Sequence, residues 1–228
     1  MDFDLKAYLK ERRQLVEDYL KEYFSRKGSP EKLYEAMTYS LFAGGKRLRP
    51  VLAIASYEAC GGRAEDILPQ ASAIELIHTY SLIHDDLPAM DDDDFRRGKP
   101  TNHKVFGEAM AILAGDALLT EAFVMFSKSD VFKPAPLLKA LRELAIGAGP
   151  KGMVAGQAMD ILSEGLSPDE DTLRFIHTHK TGALIACSVK IGPILAEASS
   201  DVYEALSTYG QCIGHAFQIV DDILDIVG

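Results

Sequence analysis

The stretch Ala73-Ile74-Glu75-Leu76-Ile77-His78-Thr79-Tyr80-Ser81-Leu82-Ile83-His84-Asp85-Asp86 is apolar on more than one face and then ends in paired carboxylates. A second run, Cys212 to Val220, leads in the same way into Asp221-Asp222-Ile223-Leu224-Asp225. Apolar residues all round a helical period mark a buried helix, so both carboxylate clusters close what read as central helices. Packed carboxylates repel and raise one another's pKa, and on such elements they persist where a cation offsets the charge. Donors that are all oxygen suit a hard cation, Mg²⁺ above all. Taken alone, Asp91 to Asp94 is more often a solvated loop, and the second cluster is as readily bland as functional. The pair together favours metal.

Outward from these two runs the chain reads as helix after helix. Leu5, Tyr8, Leu9, Leu15, Val16, Tyr19, Leu20 and Tyr23 recur at helical spacing, and the period returns in Leu33 to Phe42 and Val51 to Tyr57. Breaks fall at Arg26 to Pro30, Gly44-Gly45, Gly61-Gly62, Gly98 to Pro100, Lys133 to Pro136, Gly147 to Gly152, Gly165 to Pro168 and Ser199-Ser200. Ser29-Pro30 and Ser167-Pro168 read as helix starts. No alternating pattern is long enough to build a sheet. The expected fold is all-α: a single-domain antiparallel bundle of about eight long helices around a central cavity, with Ile74 to Ile83, Ala109 to Phe126 and Val202 to Val227 central and largely buried.

Composition sets limits on function. A net charge of −10 argues against general nucleic-acid binding, which needs a basic surface. Cys60, Cys187 and Cys212 lie in apolar contexts without metal-type spacing and read as core residues of a reducing compartment. Met1 to Glu22 lacks the apolar core of a signal peptide, and no uninterrupted apolar stretch approaches bilayer length. A soluble, cytoplasmic protein is expected.

An anionic ligand must therefore meet local positive charge. Gly44-Gly45-Lys46-Arg47-Leu48-Arg49-Pro50 sets three cations beside a glycine pair that admits a bulky anion, and Arg96-Arg97-Gly98-Lys99 repeats the theme after the first aspartates. Solvated surface charge, or salt bridges between the basic and acidic runs, would account for the same residues. His78 precedes Asp85 by two helical turns on the same side, where it is a ligand contact or a satisfied core residue. Gln218 lies one turn before Asp221. Gln157 follows a glycine-rich stretch, and His177, His179, Lys180 and Thr181 open an apolar helix. Asp221 and Asp225 share one helix face, whereas Asp85 and Asp91 would diverge on an ideal helix. Pro88 lies between that second pair and predicts a distortion returning Asp91 towards Asp85.

Five motifs in order, GGKRLRP at 44–50, SLIHDDLPAMDDDDFRRGKPTNH at 81–103, GMVAGQAMD at 152–160, HKTGALI at 179–185 and FQIVDDILD at 217–225, resemble those of the trans-polyprenyl diphosphate synthases. Within that family they are most similar to the bacterial farnesyl diphosphate synthases (geranyltranstransferases). The resemblance implies an isoprenoid-synthase helix bundle, normally a homodimer, spanning 1–228 as one domain without the family's C-terminal helices. It implies Mg²⁺, three ions with substrate bound, held by Asp85 and Asp91 with Asp86 supporting, and by Asp221, Asp222 and Asp225. It assigns Lys46, Arg49, His78 and Arg97 to the diphosphate of isopentenyl diphosphate. It assigns Arg96, Lys180, Thr181 and Gln218 to the allylic diphosphate and its developing cation, as the catalytic set. Tyr80 and Ser81 would form the chain-length pocket, and together with the Pro88-Ala89 insertion they resemble farnesyl rather than geranylgeranyl synthases. A longer-product synthase and a non-catalytic subunit remain as alternatives. A one-substrate terpene cyclase shares the metal logic but has no use for a second basic site at 44–50.

Overall fold

The computed structural model describes residues 3–26 and 28–227, with the side chains of Asp221, Asp222, Asp225, Ile226 and Val227 outside the description. The described chain is all-helical apart from one hairpin, with eleven α-helices and one π-helical turn. It divides into two compact units, Met1–Val51 with Leu68–Ser129, and Leu52–Ile67 with Asp130–Gly228.

The first unit contains α1 (Leu5–Tyr23), α2 (Glu31–Leu41), the start of α3 (Leu48–Ala59) and most of α4 (Ala64–Asp85). It continues through β1 (Phe95–Arg96), β2 (Lys99–Pro100), α5 (Asn102–Phe106) and α6 (Glu108–Ser127). Asp4 caps α1 by accepting from the Ala7 amide at 3.0 Å, satisfying one of the orphan donors at the helix start. Leu20, Leu41, Ile74, Leu76, Ile77, Ile83, Leu118, Met125 and Phe126 are fully buried, and this apolar burial is the main force holding α1, α2, α4 and α6 together. The last carbonyls of α6 would lack partners, but buried Gln70 on α4 donates its amide to the Phe126 and Lys128 carbonyls, each at 2.9 Å.

The second unit holds the remainder of α3 and α4, then α7 (Pro134–Ala148), α8 (Met153–Ser163) and α9 (Glu170–Ile176). A π turn, His177–Gly182, leads into α10 (Ala183–Leu195), and α11 (Ser200–Val227) follows. Proline starts α7, where its missing N–H is harmless. Almost every residue of α10 is buried, and it packs against α7 and α11. Small residues permit the close approach: a Cβ on Gly147 would stand 2.9 Å from the Cβ of Cys187.

The architecture is all-α as the periodicity implies, but several local expectations change. The helices are shorter and more numerous than eight, because the long apolar blocks are broken by turns and by the π segment. Neither serine caps its helix. Helix α9 is capped by Asp169, which accepts from the Thr172 amide at 2.8 Å, and α2 begins after Pro30 without a side-chain cap. Residues 98–100, which read as a break, belong to an antiparallel hairpin that pairs 95–96 with 99–100. Helix α6 buries one stripe only, and Ile112, Leu113 and Val124 on it are exposed. Helix α11, also expected to be buried, exposes Val202, Tyr209, Ile219, Val220, Ile223 and Leu224. Apolar content all round a helix identifies a candidate for burial, but the packing partners decide which stripe is covered. Cys187 is buried as expected, Cys60 is half-buried and Cys212 is exposed. Helix α6 is long and apolar enough by length and composition alone to cross a membrane, but Asp116 and Glu121 interrupt it and part of it is buried, so the reading that no uninterrupted apolar stretch reaches bilayer length is unchanged.

Candidate functional site

In the first unit the chemistry is organised by the end of α4. The helix stops at Asp85, close to Pro88, which has no N–H to continue the ladder. The chain then turns back on itself: the Met90 amide donates to the Leu87 carbonyl at 2.8 Å and the Asp91 amide to the Asp85 carbonyl at 2.9 Å. A straight helix through Asp91 is absent, and the proposed distortion at Pro88 is present. Two carboxylate-bearing residues six apart in sequence are thus joined through their backbones.

Asp86 is buried, and Arg96 forks onto its Oδ1 with Nε at 2.7 Å and Nη2 at 2.5 Å. Burial raises the Asp86 pKa, and the guanidinium only partly opposes that. Arg96 also lies 3.5 Å from Asp93, and Lys104 pairs with exposed Asp94 at 2.6 Å, so part of the acidic and basic run does form an internal salt-bridge network. Arg97 takes a different course. It sits at the tip of the hairpin with φ +54°, and its Nη1 donates to the Gly44 carbonyl, bringing the 96–99 motif onto the glycine pair of 44–50. A shallow cleft beside the hairpin is bordered by Thr79, Asp86, Arg96, Arg97 and Lys99.

The three cations of 46–49 separate into distinct roles. Lys46 is exposed and Arg49 is half-buried. Arg47 is buried and donates Nε to Glu17 at 2.7 Å, Nη1 to Glu75 at 2.7 Å and Nη2 to the Leu41 carbonyl at 2.6 Å. It therefore ties α1, α2 and α4 together beneath the loop. His78 lies among these groups: burial first, then Arg49, Arg97, Arg47 and Arg96, hold its pKa well below the ordinary imidazole value, so it is neutral. Of the four residues that the resemblance assigns to one diphosphate, Arg49 and Arg97 lie close enough to His78 to act on it electrostatically, as do Arg47 and Arg96. Tyr80 is buried, meets the His84 ring edge-on at 5.7 Å, and has its phenol pushed up to about 12, chiefly by burial. The Ser81 hydroxyl donates to the His78 carbonyl of its own helix at 2.9 Å.

In the second unit Lys180 and Thr181 lie on the π turn His177–Gly182. One extra residue in the turn shifts where side chains project, a device frequent at functional sites. Lys180 Nζ donates to Asp160 Oδ2 on α8 at 2.6 Å, with both side chains partly exposed. The contact depends on Gly156, where a Cβ would stand 2.0 Å from the Lys180 backbone nitrogen. Gln157, one residue further on, has both its amide atoms buried without a hydrogen-bond partner among the described residues. Gln157 and Asp160 carried no role in the sequence reading. Their three-residue spacing inside GMVAGQAMD, which sets them on one helix face, was the available signal. His179 is turned away from such a role: its ring stacks on Phe175 at 3.9 Å, and its Nδ1 meets the Phe175 carbonyl at 2.8 Å.

Helix α11 is regular through residues 218–225, so the backbone sets Gln218, Asp221 and Asp225 along one side. The carboxylates of Asp221, Asp222 and Asp225 lie outside the described side chains. Among the described residues no three acidic, histidine or cysteine side chains are gathered to hold a metal. By residue type alone, the aspartates at the Pro88 turn in the first unit and, separately, those repeated at a four-residue interval on α11 in the second are oxygen donors of the kind a hard cation takes.

Comparison with known proteins agrees with this organisation. A polyprenyl synthetase profile matches residues 30–228. The chain is 51% identical over 230 residues to the heterodimeric geranylgeranyl pyrophosphate synthase large subunit 1 of Arabidopsis thaliana, covering 98% of this chain and 62% of that protein. It is also 51% identical over 226 residues to the farnesyl diphosphate synthase of Geobacillus stearothermophilus, covering 98% and 76%. A crystal structure of an FPP/GFPP synthase from Zymomonas mobilis superposes with a TM-score of 0.92 at 40% identity, covering 97% of this chain and 81% of the other. The chain thus spans 62% to 81% of the length of these proteins, and it belongs to the polyprenyl synthetase family.

Proposed function

We propose that this protein is a prenyltransferase that condenses isopentenyl diphosphate with dimethylallyl or geranyl diphosphate to give farnesyl diphosphate. The observation that carries the reading is the gathering of Arg49, Arg97 and neutral His78 in the unit where the Pro88 turn links Asp85 to Asp91. An anion subsite and a cation subsite in one unit suit a reaction between two diphosphates.

Asp85 and Asp91, with Asp86 supporting, and Asp221, Asp222 and Asp225 would hold Mg²⁺, which when bound supplies charge neutralisation for the departing diphosphate. Lys46, Arg49, His78 and Arg97 would bind and orient isopentenyl diphosphate. Neutral His78 contributes a hydrogen bond without adding to the crowd of cations. Arg96 and Lys180 would stabilise negative charge as the allylic C–O bond breaks and its electron pair leaves with the diphosphate. Thr181 and Gln218 would present oxygen dipoles to the allylic cation, which the double bond of isopentenyl diphosphate attacks. Loss of a proton to the released diphosphate restores an alkene, so no enzymic nucleophile is required. The cation must be kept from water until attack.

Relatives of equal identity are named for farnesyl and for geranylgeranyl products, so chain length is the open alternative within this class. Buried Tyr80, a little over one turn before Asp85, favours the shorter product. A homodimer is proposed on the family pattern. Incubation with Mg²⁺, radiolabelled isopentenyl diphosphate and dimethylallyl or geranyl diphosphate should give a fifteen-carbon product, abolished by a chelator. A protein that binds these diphosphates without condensing them would instead be a non-catalytic subunit.

A further inference from the structure

The hairpin that carries Arg96 and Arg97 has little to hold it by burial. From Asp91 to Pro100 every residue is exposed except Arg96, which is half-buried. Its tip is a two-residue turn with φ +54° at Arg97 and +75° at Gly98, and the strands pair Phe95 with Pro100 and Arg96 with Lys99. Such a turn suits glycine, asparagine or aspartate, and an arginine at its first position is strained. Strain of this kind persists only where the surroundings over-determine it.

The surroundings that do so begin at the next residue. Thr101, Asn102 and His103 are buried, at 2%, 2% and 6% exposure. The Asn102 amide donates Nδ2 to the Ala36 carbonyl and to the Ser40 hydroxyl, both at 2.8 Å. Because a carbonyl can only accept, the amide orientation is fixed. The Tyr39 hydroxyl, on the same turn of α2, donates to the Pro100 carbonyl at 2.8 Å. Thr101 occupies the N-cap of α5 yet makes no capping bond. Its hydroxyl donates to the Asp93 carbonyl at 2.7 Å and its amide to the Asp94 carbonyl at 3.0 Å, closing the loop on itself. One turn of α2 thus grips the returning strand and α5, and Thr101 clasps the base of the hairpin.

We propose that Asn102, supported by Tyr39, is a positioning residue: its bonds to Ala36 and Ser40 clamp the strained hairpin so that Arg97 is preorganised for a diphosphate. Both residues border the cleft beside the hairpin, but the Tyr39 hydroxyl and the Asn102 Nδ2 are committed to protein acceptors, so they act through the hairpin. The identity of the ligand rests on the proposed function, whereas the clamp itself does not. Without the clamp, binding would have to order the arginines at the moment of association, which weakens affinity and leaves the bound state little changed.

The test pairs Asn102→Ala with Tyr39→Phe, which keeps the ring and its edge-on contact with Phe106 and removes one hydroxyl. Calorimetric titration with isopentenyl diphosphate alone should show binding about tenfold weaker for Asn102→Ala and a few-fold weaker for Tyr39→Phe, the losses expected for two neutral hydrogen bonds and one. In steady state the KM for isopentenyl diphosphate should rise by similar factors with kcat at saturation nearly unchanged. Amide exchange over residues 91–100 should accelerate in both variants, while α2 and α4 keep wild-type protection. Wild-type affinity and wild-type exchange in the variants overturn the proposal. If Asn102→Ala fails to fold, Tyr39→Phe decides on the same two measurements. Absence of isopentenyl diphosphate binding in the wild-type protein would count against the functional reading, leaving exchange to decide the clamp.

Discussion

Lys180 Nζ and Asp160 Oδ2 stand 2.6 Å apart, joining the π turn to α8. A charge-assisted bond of this length directs an otherwise mobile ammonium, and Gly156 lets the two backbones come close enough for it to form. Lys180→Met should lower kcat by about two orders of magnitude, the scale expected when a donor to a developing anion is removed. Asp160→Asn, which keeps the shape but loses the charge, should cost about one order of magnitude as Lys180 loses its direction. Because both side chains are partly exposed, neither change should shift the midpoint of thermal unfolding much. Steady-state kinetics beside calorimetry checks this. Equal kcat in Lys180→Met and wild type would remove Lys180 from the catalytic set.

Arg47 and Lys46 are neighbours with opposite expected behaviour. Arg47→Leu strands Glu17 and Glu75 with their charges uncompensated beneath the loop and should destabilise the fold by about 3–5 kcal/mol. Lys46→Ala, at an exposed position, should leave stability within about 0.5 kcal/mol and raise the KM for isopentenyl diphosphate. Urea unfolding of both variants separates the two roles.

His78 predicts a pH dependence with a definite sign. Its pKa is held well below 6.5 in the folded protein by burial and by the surrounding arginines, while the unfolded chain protonates normally. The stability tied to neutral His78 is therefore complete above pH 6.5 and is lost as pH falls below it towards the folded-state value. Thermal midpoints measured from pH 7.5 down to 5 should fall more steeply for wild type than for His78→Gln. Parallel slopes would show that the imidazole is not the group responsible.

Tyr80→Ala opens space along α4 next to the turn that carries Asp85. Products longer than fifteen carbons should appear on sizing, together with a loss of about 3 kcal/mol of stability from the vacated volume. Unchanged product length in a folded variant would rule out Tyr80 as the floor of the pocket.

Much of the candidate site is legible in the sequence because its residues fall in motifs with internal spacing. The divergence of Asp85 and Asp91 on an ideal helix, with Pro88 between them, was sufficient to foresee the turn that joins them. The role of Asp160 was not legible, since one aspartate on an amphipathic helix looks like any solvated charge until its partner is known. The hairpin was equally hidden: two-residue strands have no period to read, and the Arg97-Gly98 turn departs from the residues such turns prefer.

The sequence by itself determined the all-helical class, the order of the motifs and the pairing of acidic and basic runs, because helical period and proline or glycine breaks are local properties of the chain. Only the tertiary structure decided which cation is buried and which is exposed. Arg47 finds Glu17 and Glu75 at separations of 30 and 28 residues, and no local pattern distinguishes it from Lys46 or Arg49. The same holds for α6 and α11, which both read as buried in sequence, and each of which other helices cover on one side only. Burial depends on the neighbours brought by the fold, and a side chain's charge or apolarity states only what kind of neighbour it needs.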